Sequence, residues 1–386
     1  MLNGTAATDM RCRRPVTVTV AAKGRLPRPA DTQPWPDRGC LRRIALAGRG
    51  LRGIDASLYD RRMDATPLPL PGFTDVLAAA ARIAPHAHVT PVLRSRTLDA
   101  LAGCTLHFKC EPLQRSGAFK FRGACNAVWS LSDDVAARGV VTHSSGNHGG
   151  ALALAARTRG IACHVVVPEG AVAAKLAAIA AYGATLHRCA PGIAAREAMC
   201  AQVQAATGAT LVHPYADPRV IAGQGTAALE LLQTAGELDV LVAPVGGGGL
   251  ASGCALTLAA LAPDCALVLA EPRGAADTAA SLAAGRRVID FVPDTICDGL
   301  RGTLGAPDFE LLQRHGASVT VVDDADTLGA MRLLWTRLKL LVEPSSAIAL
   351  AAVLQQPGRY AGRRVGVILS GGNVDLEALP RWFAAA

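Results

Sequence analysis

A lysine at position 120 is the residue whose type and setting point most directly to chemistry. The 386-residue chain contains five lysines against 34 arginines, and one of the five stands in the run Ser-Gly-Ala-Phe-Lys-Phe-Arg-Gly from Ser116 to Gly123. A guanidinium remains protonated in proteins, whereas a lysine ammonium that loses its solvation becomes a neutral amine and can form a Schiff base. We therefore take Lys120 as the candidate nucleophile.

The neighbours of Lys120 favour a special setting over that of an ordinary surface lysine, which is the commoner case for this residue type. Phe119 and Phe121 flank it, and the alternation of an extended segment would place both rings on one face and Lys120 on the other. Gly117 and Gly123 indicate turns or close backbone approach on either side. The pattern predicts an extended segment that presents a lysine amine.

Four consecutive glycines, Gly246–Gly249, follow a predicted strand that starts at Val240 and precede a helix predicted to begin near Leu250. Glycines allow backbone N–H groups to approach an anion closely, and a helix N-terminus adds the positive end of its dipole. The pattern predicts a phosphate site. A dinucleotide site is the alternative, but Glu271 is a poor fit to the acidic residue expected about 20 residues further on.

A second strand-to-helix turn carries polar residues after the predicted strand Val140–Thr142. Taken alone, this turn is typical of a helix start with a serine N-cap, since such caps are common. Its members are Ser144, Ser145, Gly146, Asn147 and His148.

Four motifs in the same order resemble those of fold-type II pyridoxal phosphate (PLP) enzymes, the serine racemase and serine/threonine dehydratase family. They are the run around Lys120, the turn His-Ser-Ser-Gly-Asn-His-Gly, the glycine run Pro-Val-Gly-Gly-Gly-Gly-Leu, and Leu-Ser-Gly-Gly-Asn-Val-Asp at Leu369–Asp375. The resemblance extends from about Met63 to the C-terminus. It implies an α/β fold of the tryptophan synthase β type, with two three-layer α/β domains and the cofactor in the cleft between them.

The resemblance implies a set of cofactor-binding residues. By it, Lys120 holds PLP as a Schiff base, Asn147 hydrogen-bonds the ring hydroxyl and the glycine run binds the phosphate. Ser370 would face the pyridine nitrogen with a neutral hydroxyl, and for Glu343 a structural helix cap is the alternative role. The full implied set is Lys120, Phe119, Asn147, Gly246, Gly247, Gly248, Gly249, Leu250, Gly299, Glu343 and Ser370.

The resemblance also implies substrate and metal ligands. Ser145 occupies the position of the racemase's second acid/base, opposite the lysine, while Arg196 has a solvent-facing helix position as its alternative. The implied substrate-binding residues are Ser144, Ser145, Asn147, His148 and Arg196. Glu271, the carbonyl of Ala275 and Asp277 have the spacing of the family's divalent-cation site, and such oxygen ligands suit Mg²⁺ or Ca²⁺ completed by waters.

The activity implied by the resemblance starts with Lys120 removing the α-proton of L-serine or L-threonine as a general base. Loss of the β-hydroxyl then gives pyruvate or 2-oxobutyrate plus ammonia. We favour this dehydratase because elimination is irreversible once ammonia leaves. The alternative is a serine racemase with side dehydratase activity, in which Ser145 reprotonates the α-carbon. A β-replacement enzyme and a noncatalytic PLP or nucleotide carrier are further alternatives.

Composition narrows the class of partner. Residues 1–62 hold 13 basic and 5 acidic side chains and so carry the whole net charge of +8. A nucleic-acid binder would show a basic stripe on its folded part, so we predict no nucleic-acid partner. The longest apolar run, Ala347–Leu354, is too short for a membrane span.

Eleven cysteines without a C-x-x-C pair, and no credible secretion signal, indicate a cytoplasmic protein. The resemblance implies a homodimer.

The order of predicted elements indicates the domains. Residues 1–62 are rich in Arg, Pro and Gly without a sustained period, which predicts a disordered leader or an overlong gene start, with Met63 as the true start. Beyond them, the pattern predicts an amphipathic helix over Phe73–Ile83, a strand over Thr105–Cys110 and then short apolar strands that alternate with helices, which favours parallel, doubly wound sheets. By the resemblance, residues 133–208 form a small domain, and residues 63–132 and 209–386 form the large PLP-binding domain.

Overall fold

The computed structural model describes residues 69–171 and 173–384. The predicted leader at residues 1–62 and the proposed start at Met63 lie outside the described residues. No helix among the residues that are described is long and apolar enough to cross a bilayer.

Two sheets organise this part of the chain. One has six strands in the order β1-β2-β10-β7-β8-β9, and the other has four in the order β5-β4-β3-β6. All described strand pairs are parallel except β1 with β2. The strands are β1 (Val92–Leu93), β2 (Thr105–Cys110), β3 (Val140–Thr142), β4 (Cys163–Pro168), β5 (Thr185–Cys189), β6 (Thr210–Leu211), β7 (Val240–Pro244), β8 (Ala266–Pro272), β9 (Ser318–Val322) and β10 (Arg364–Leu369).

Helices connect most of these strands, as parallel pairing requires. The α-helices are α1 (Phe73–Ile83), α2 (Arg96–Ala102), α3 (Lys120–Trp129), α4 (Asp133–Ala136), α5 (Asn147–Arg159), α6 (Ala173–Ala181), α7 (Ile193–Thr207), α8 (Pro218–Ala235), α9 (Gly249–Leu261), α10 (Asp277–Ala284), α11 (Ala306–Arg314), α12 (Asp324–Leu333), α13 (Pro344–Leu354), α14 (Pro357–Tyr360) and α15 (Leu379–Ala384).

The central strands of the six-stranded sheet are buried on both faces, because helices cover the sheet on both sides. Every residue of β7 is buried, and so is every residue of β10 after Arg364. The predicted parallel α/β architecture is confirmed. The helix Phe73–Ile83 and the strands Thr105–Cys110 and Val140–Thr142 have the predicted bounds.

The prediction of an extended segment at Lys120 is wrong. Phe119 already has helical backbone angles (φ −51°, ψ −25°), and Lys120 is the first residue of α3. The reason lies further along the helix, where Phe121, Ala124, Cys125 and Val128 are buried at helical spacing and pack into one core. This periodicity includes Phe121, so the helix extends back to the lysine.

The four-stranded sheet lies between residues 140 and 211. Its last strand, β6, pairs in parallel with β3 and lies just beyond residue 208, where the small domain was predicted to end. The small-domain assignment to residues 133–208 stays a prediction.

A fully buried group of charges ties α3 to the rest of the fold. The Arg122 guanidinium donates to both oxygens of Glu111 at 2.7 and 2.8 Å and to both oxygens of Glu230 at 2.7 and 2.8 Å. Lys109 donates to Glu230 as well, at 2.5 Å. Burial lowers the pKa of Arg122, but the two carboxylates raise it by more. Each of these groups would be costly alone, and their mutual hydrogen bonds make the burial tolerable.

We predict that Glu230→Ala lowers the free energy of unfolding by about 3–5 kcal/mol, because Arg122 and Lys109 would then share the single remaining acid. Urea denaturation measures the loss. The matched control is Glu310→Ala, which removes an exposed ion pair with Arg314 and is expected to cost about 0.5 kcal/mol or less. Equal effects of the two substitutions would contradict the prediction.

Candidate active site

The amine of Lys120 lies in an apolar, poorly solvated setting at the start of α3. Its Nζ donates to the carbonyl of Pro214 at 3.0 Å and lies 4.9 Å from the centroid of the Phe119 ring. Burial lowers the pKa of Lys120 to about 8, although Asp308 and Glu343 act in the opposite direction. A useful fraction of this amine is therefore neutral, and hence nucleophilic, close to neutral pH.

The end of β10 holds the lysine segment in place. The Phe119 N–H donates to the carbonyl of Ser370 at 2.9 Å, and Ala118 forms a β-bridge with Gly371. Ser370 is buried, and its hydroxyl donates to the Ser345 carbonyl at 3.4 Å. The structure thus places Ser370 directly beside the segment that carries Lys120.

The turn after β3 differs from the serine-capped helix start that its sequence suggests. Helix α5 has Gly146 as its N-cap and no side-chain cap, so the serine N-cap interpretation is wrong. The Ser144 hydroxyl instead accepts a 3.4 Å hydrogen bond from the Gly146 N–H within the turn. Both Ser144 and Ser145 are partly exposed, so their hydroxyls remain accessible beside the site.

His148, from the same turn, is placed differently from the serines. It is buried, its Nε2 lies 3.2 Å from the Val212 carbonyl, and its Nδ1 has no hydrogen-bond partner among the described residues. Burial lowers the pKa of His148 well below its ordinary value. A neutral, buried imidazole of this kind packs the turn against the segment after β6, and its role as a substrate ligand stays a prediction.

Asn147 connects three segments of the site. Its side-chain NH₂ donates to Glu343 at 2.8 Å, and its carbonyl oxygen accepts from Asn373 at 2.9 Å. Asn373 also donates to the Ser116 carbonyl at 2.8 Å. The turn after β3, the lysine segment and the segment after β10 are therefore linked by one chain of hydrogen bonds. Asn373 lies inside the motif Leu369–Asp375, but sequence reasoning gave it no role.

Glu343 precedes α13 in the N-cap position, but its side chain caps no N–H of that helix. Its carboxyl instead accepts the hydrogen bond from Asn147, so the side-chain cap is ruled out as its alternative role. Burial raises the pKa of Glu343 to about 8. The Glu343 carboxyl is therefore largely uncharged at neutral pH, and it accepts the hydrogen bond from Asn147 without a full negative charge.

The glycine turn lies between β7 and α9. Gly248 is the N-cap of α9 and has a positive φ of 101°, a conformation that favours glycine. Side chains would not fit at the preceding positions, because a Cβ at Gly246 would lie 2.7 Å from the Leu300 Cα and one at Gly247 2.4 Å from the Tyr215 ring. The first N–H groups of α9 have no acceptor within the helix, so they can bind an anion. The Leu250 side chain is buried in the core below the turn.

Two aromatic residues after β6 were missed by sequence reasoning. The Tyr215 ring packs edge-on to His213, with 4.5 Å between centroids, and His213 packs on His143 at 5.0 Å. Burial lowers the pKa of His213 to about 3 and raises that of Tyr215 to about 12, so both groups are neutral. The only sequence signal was the His-Pro-Tyr run after a short strand.

Arg196 and Gly299 lie at the edges of this site. Arg196 is partly exposed on α7 and donates to the Gly192 carbonyl at 3.3 Å. Burial lowers the pKa of His143, next to the serine turn, and the charge of Arg196 lowers it further. Gly299 donates its N–H to the Ser345 hydroxyl at 3.0 Å, and a Cβ there would lie 3.0 Å from the same oxygen.

The predicted metal ligands form a separate acidic pair. Both oxygens of Glu271 accept backbone N–H groups at the start of α10, and Asp277 accepts one from Leu304, all at 2.8 Å. Burial raises the pKa of Glu271 to about 7 and that of Asp277 to about 6. The second oxygen of Asp277 is buried and has no hydrogen-bond partner among the described residues. No group of three or more His, Cys, Asp or Glu that could hold a metal ion by itself occurs in the described part of the chain. The pair with its free oxygen fits a cation whose other ligands are carbonyl oxygens and water.

The site as a whole fits PLP, since an amine suited to a Schiff base and a glycine turn suited to a phosphate lie in one region. A model of the family described as "Pyridoxal-phosphate dependent enzyme" matches residues 83–371. The chain belongs to this family of PLP-dependent enzymes.

Individual relatives agree with this assignment. A beta-hydroxyaspartate dehydratase of Paracoccus denitrificans is 48% identical over 311 residues, which cover 81% of this chain and 99% of that protein. The structure of maize serine racemase matches with a TM-score of 0.78 and 42% identity, over 82% of this chain and 98% of that one. The structure of a T.th. threonine deaminase matches with a TM-score of 0.76 and 42% identity, over 79% and 99%. The predicted fold-type II PLP enzyme, of a group of lyases and racemases, is confirmed.

We predict that borohydride reduction of the PLP-loaded protein fixes the cofactor onto the peptide that contains Lys120, and that Lys120→Ala abolishes both this labelling and the visible absorbance. The reason is that this partly buried amine has a pKa of about 8, against about 10.5 for an ordinary lysine. Peptide mass spectrometry makes the measurement. Lys339→Ala is the matched control, because Lys339 is exposed and should leave labelling unchanged. Labelling of a different lysine in the wild type would contradict the assignment.

Proposed function

We propose that this protein is a PLP-dependent L-serine/L-threonine dehydratase, an ammonia-lyase that forms pyruvate or 2-oxobutyrate plus ammonia. The observation that carries the proposal is the Lys120 amine at the start of α3, whose segment is hydrogen-bonded to the end of β10 and whose pKa is lowered to about 8. A dehydratase and a threonine deaminase among the relatives support it.

The residues of the site have distinct tasks in this proposal. When bound, PLP supplies the electron sink that makes the substrate α-proton acidic. Lys120 removes that proton as the general base, because a neutral amine with a pKa near 8 can both accept and return a proton near neutral pH. The Ser144 and Ser145 hydroxyls and nearby N–H groups hold the substrate carboxylate, with Arg196 as an additional positive charge. The glycine turn binds the cofactor phosphate through Gly246, Gly247, Gly248, Gly249 and Leu250.

The cofactor ring is placed by neutral groups in this proposal. Phe119 and Gly299 border it, Asn147 hydrogen-bonds its hydroxyl, and Ser370 faces its nitrogen. Glu343 supports Asn147 through their 2.8 Å hydrogen bond. A serine hydroxyl does not stabilise a full positive charge on the ring nitrogen, as a carboxylate would. The resulting weaker sink suits elimination, in which the leaving hydroxide promptly removes the electron pair.

Serine racemase is the second candidate, and one observation favours it. Ser145 is partly exposed in the turn after β3, and its hydroxyl is not used as a helix cap. It can therefore act as the second acid/base that returns a proton to the α-carbon on the face opposite Lys120. The maize relative is a serine racemase. Elimination and racemisation share the α-proton removal by Lys120 and differ only in the next step.

We predict keto acid and ammonia from L-serine and L-threonine, with D-serine formed more slowly than pyruvate. β-Hydroxyaspartate belongs in the same panel because a relative is named for its dehydration. Coupled keto-acid assays and chiral chromatography of the remaining serine make the measurement. If D-serine outpaces pyruvate, the racemase is the main activity, and if no amino acid turns over while PLP is bound, the protein is a carrier.

We predict that Ser145→Ala lowers the rate of D-serine formation by about 100-fold or more, the typical contribution of a general acid or base. At saturating substrate, pyruvate formation should fall much less, because elimination needs no proton donor on that face and the loss of one carboxylate contact mainly raises KM. Both rates come from the same reaction mixture. Ser130→Ala, at an exposed serine after α3, is the matched control and should alter neither rate. An equal fall in both rates would remove the distinct role of Ser145.

The divalent cation is a further part of the proposal, held by Glu271, the Ala275 carbonyl and Asp277 as Mg²⁺ or Ca²⁺. We predict that EDTA lowers the melting temperature and that added Mg²⁺ or Ca²⁺ restores it, with a stabilisation of about 2.7 kcal/mol at 100 times Kd. Both carboxyls must lose their protons to bind the cation. Since their pKa values are about 7 and about 6, the effect should fade as the pH falls below about 7.

Differential scanning fluorimetry measures the cation effect, and Asp277→Asn is the informative variant. It removes one negative charge with little change in shape, so its melting temperature should not respond to EDTA. A wild-type protein that is equally unresponsive would contradict the cation site while leaving the PLP chemistry intact.

The proposal also covers assembly and location. We place the protein in the cytoplasm as a homodimer, with residues 133–208 as the small domain and residues 63–132 and 209–386 as the large one. The cysteines among the described residues are free and buried, which suits a reducing compartment. Large apolar side chains are exposed at Leu101, Ile193 and Leu341 and could be buried in an interface between subunits.

A further inference from the structure

Asp308 is a fully buried acid close to the glycine turn, and no motif gave it a role. It lies in the first turn of α11 and has no solvent exposure. One carboxyl oxygen, Oδ1, accepts a 2.9 Å hydrogen bond from the Ser252 hydroxyl. The other, Oδ2, has no hydrogen-bond partner among the described residues. A buried carboxyl with one unpartnered oxygen is costly, which calls for a functional explanation.

The carboxyl of Asp308 packs directly against the glycine turn. A Cβ built on Gly248 would lie 2.5 Å from the Asp308 Cβ and 2.9 Å from its Cγ. One built on Gly305 would lie 2.2 Å from Oδ2, and the N–H of Gly305 donates to the Gly247 carbonyl at 3.0 Å. Asp308 therefore lies where the start of α11 meets the turn that precedes α9.

Helix capping does not explain this position. An acid in the first turn of a helix usually accepts a backbone N–H of that turn or of the N-cap. Here α11 has no side-chain cap, and the N–H of its N-cap residue, Gly305, is used by Gly247. The hydrogen bond of Asp308 goes to Ser252 on α9 instead. Asp308 therefore joins the start of α11 to the glycine turn and α9 and does not cap its own helix.

The charge state of Asp308 is set by the groups that face it. Burial raises the pKa of this carboxyl to about 8, whereas the Ser252 hydroxyl of α9, Lys120 of α3 and Arg287 after α10 favour its ionised form to a smaller extent. Tyr215 also faces it as a neutral phenol. An uncharged carboxyl adds no negative charge to the turn. An ionised one would repel a phosphate in a setting with little water to screen it.

We propose that Asp308 controls how tightly the glycine turn binds the cofactor phosphate. The Asp308 carboxyl must be uncharged for tight binding, and its ionisation weakens the binding. The inference rests on PLP binding by this family. It is independent of whether the enzyme eliminates or racemises.

The test is cofactor retention as a function of pH, measured as PLP remaining on the protein after equilibrium ultrafiltration from about pH 6.5 to about pH 10. Above the transition of Asp308, the Kd of the wild type should rise about tenfold per pH unit, because only the protonated form binds tightly. Asp308→Asn keeps the shape of the side chain and cannot ionise, so the Kd of this variant for PLP should lack the rise with pH that is due to Asp308. Asp308→Ser serves the same purpose if the asparagine variant does not fold.

Pyridoxal, which lacks the phosphate, is the matched ligand control. It forms the same bond with Lys120, so any pH dependence due to the lysine is common to both ligands. The component due to Asp308 should appear with PLP alone. Ser252→Ala tests the direction, because it removes the hydrogen bond that favours the ionised form and should move the transition to higher pH. Circular dichroism checks that each variant is folded.

Two results would overturn the inference. One is an Asp308→Asn profile that coincides with that of the wild type, and the other is the same pH component with pyridoxal as with PLP. Failure of the wild type to bind PLP at all would instead contradict the assignment of Lys120, so the two failures are distinguishable.

Discussion

The constraint on which this structure depends is the partial removal of one lysine amine from water. Lys120 is kept at the start of α3 by the hydrogen bond between the Phe119 N–H and the end of β10, and its Nζ has the Pro214 carbonyl as its hydrogen-bond acceptor. Because an ammonium loses far more solvation than an amine on burial, this setting lowers the pKa to about 8. Strand ends from both sheets and the turn after β6 are therefore needed to create one reactive nitrogen.

Burial also shifts the pKa values of the acids near Lys120, but upwards, because it favours their uncharged form. Burial raises the pKa of both Asp308 and Glu343 to about 8, and each would stabilise the ammonium form of Lys120 if it were ionised. When both acids are protonated, neither stabilises the ammonium form of Lys120, and the glycine turn has no competing negative charge.

Two residues further along α3, a buried cation keeps its charge, unlike Lys120, whose pKa is lowered. Arg122 is fully buried, and two carboxylates receive its N–H groups at 2.7–2.8 Å and offset the cost of burying a guanidinium that stays charged. Lys120 has one carbonyl as its acceptor. The structural cation and the reactive amine thus differ both in side-chain type and in the number of acceptors that the fold supplies, and the helix presents one of each within a single turn.

This contrast also explains what could be predicted from the sequence and what could not. Lys120, the glycine turn and the alternation of strands and helices depend on local patterns, and local patterns gave the α/β class and several element bounds correctly. The helical start at Lys120 was missed because its neighbours suggested alternation, whereas burial of Phe121 together with residues a full turn later decided the conformation. Asp308, Tyr215 and Asn373 were missed for a related reason. Their importance comes from contacts with Ser252, His213 and Asn147, each made across the fold or in a turn without regular periodicity. An aspartate in the first turn of a helix looks in sequence like an ordinary helix start, and only the packing of α11 on the glycine turn makes its charge matter for binding an anion.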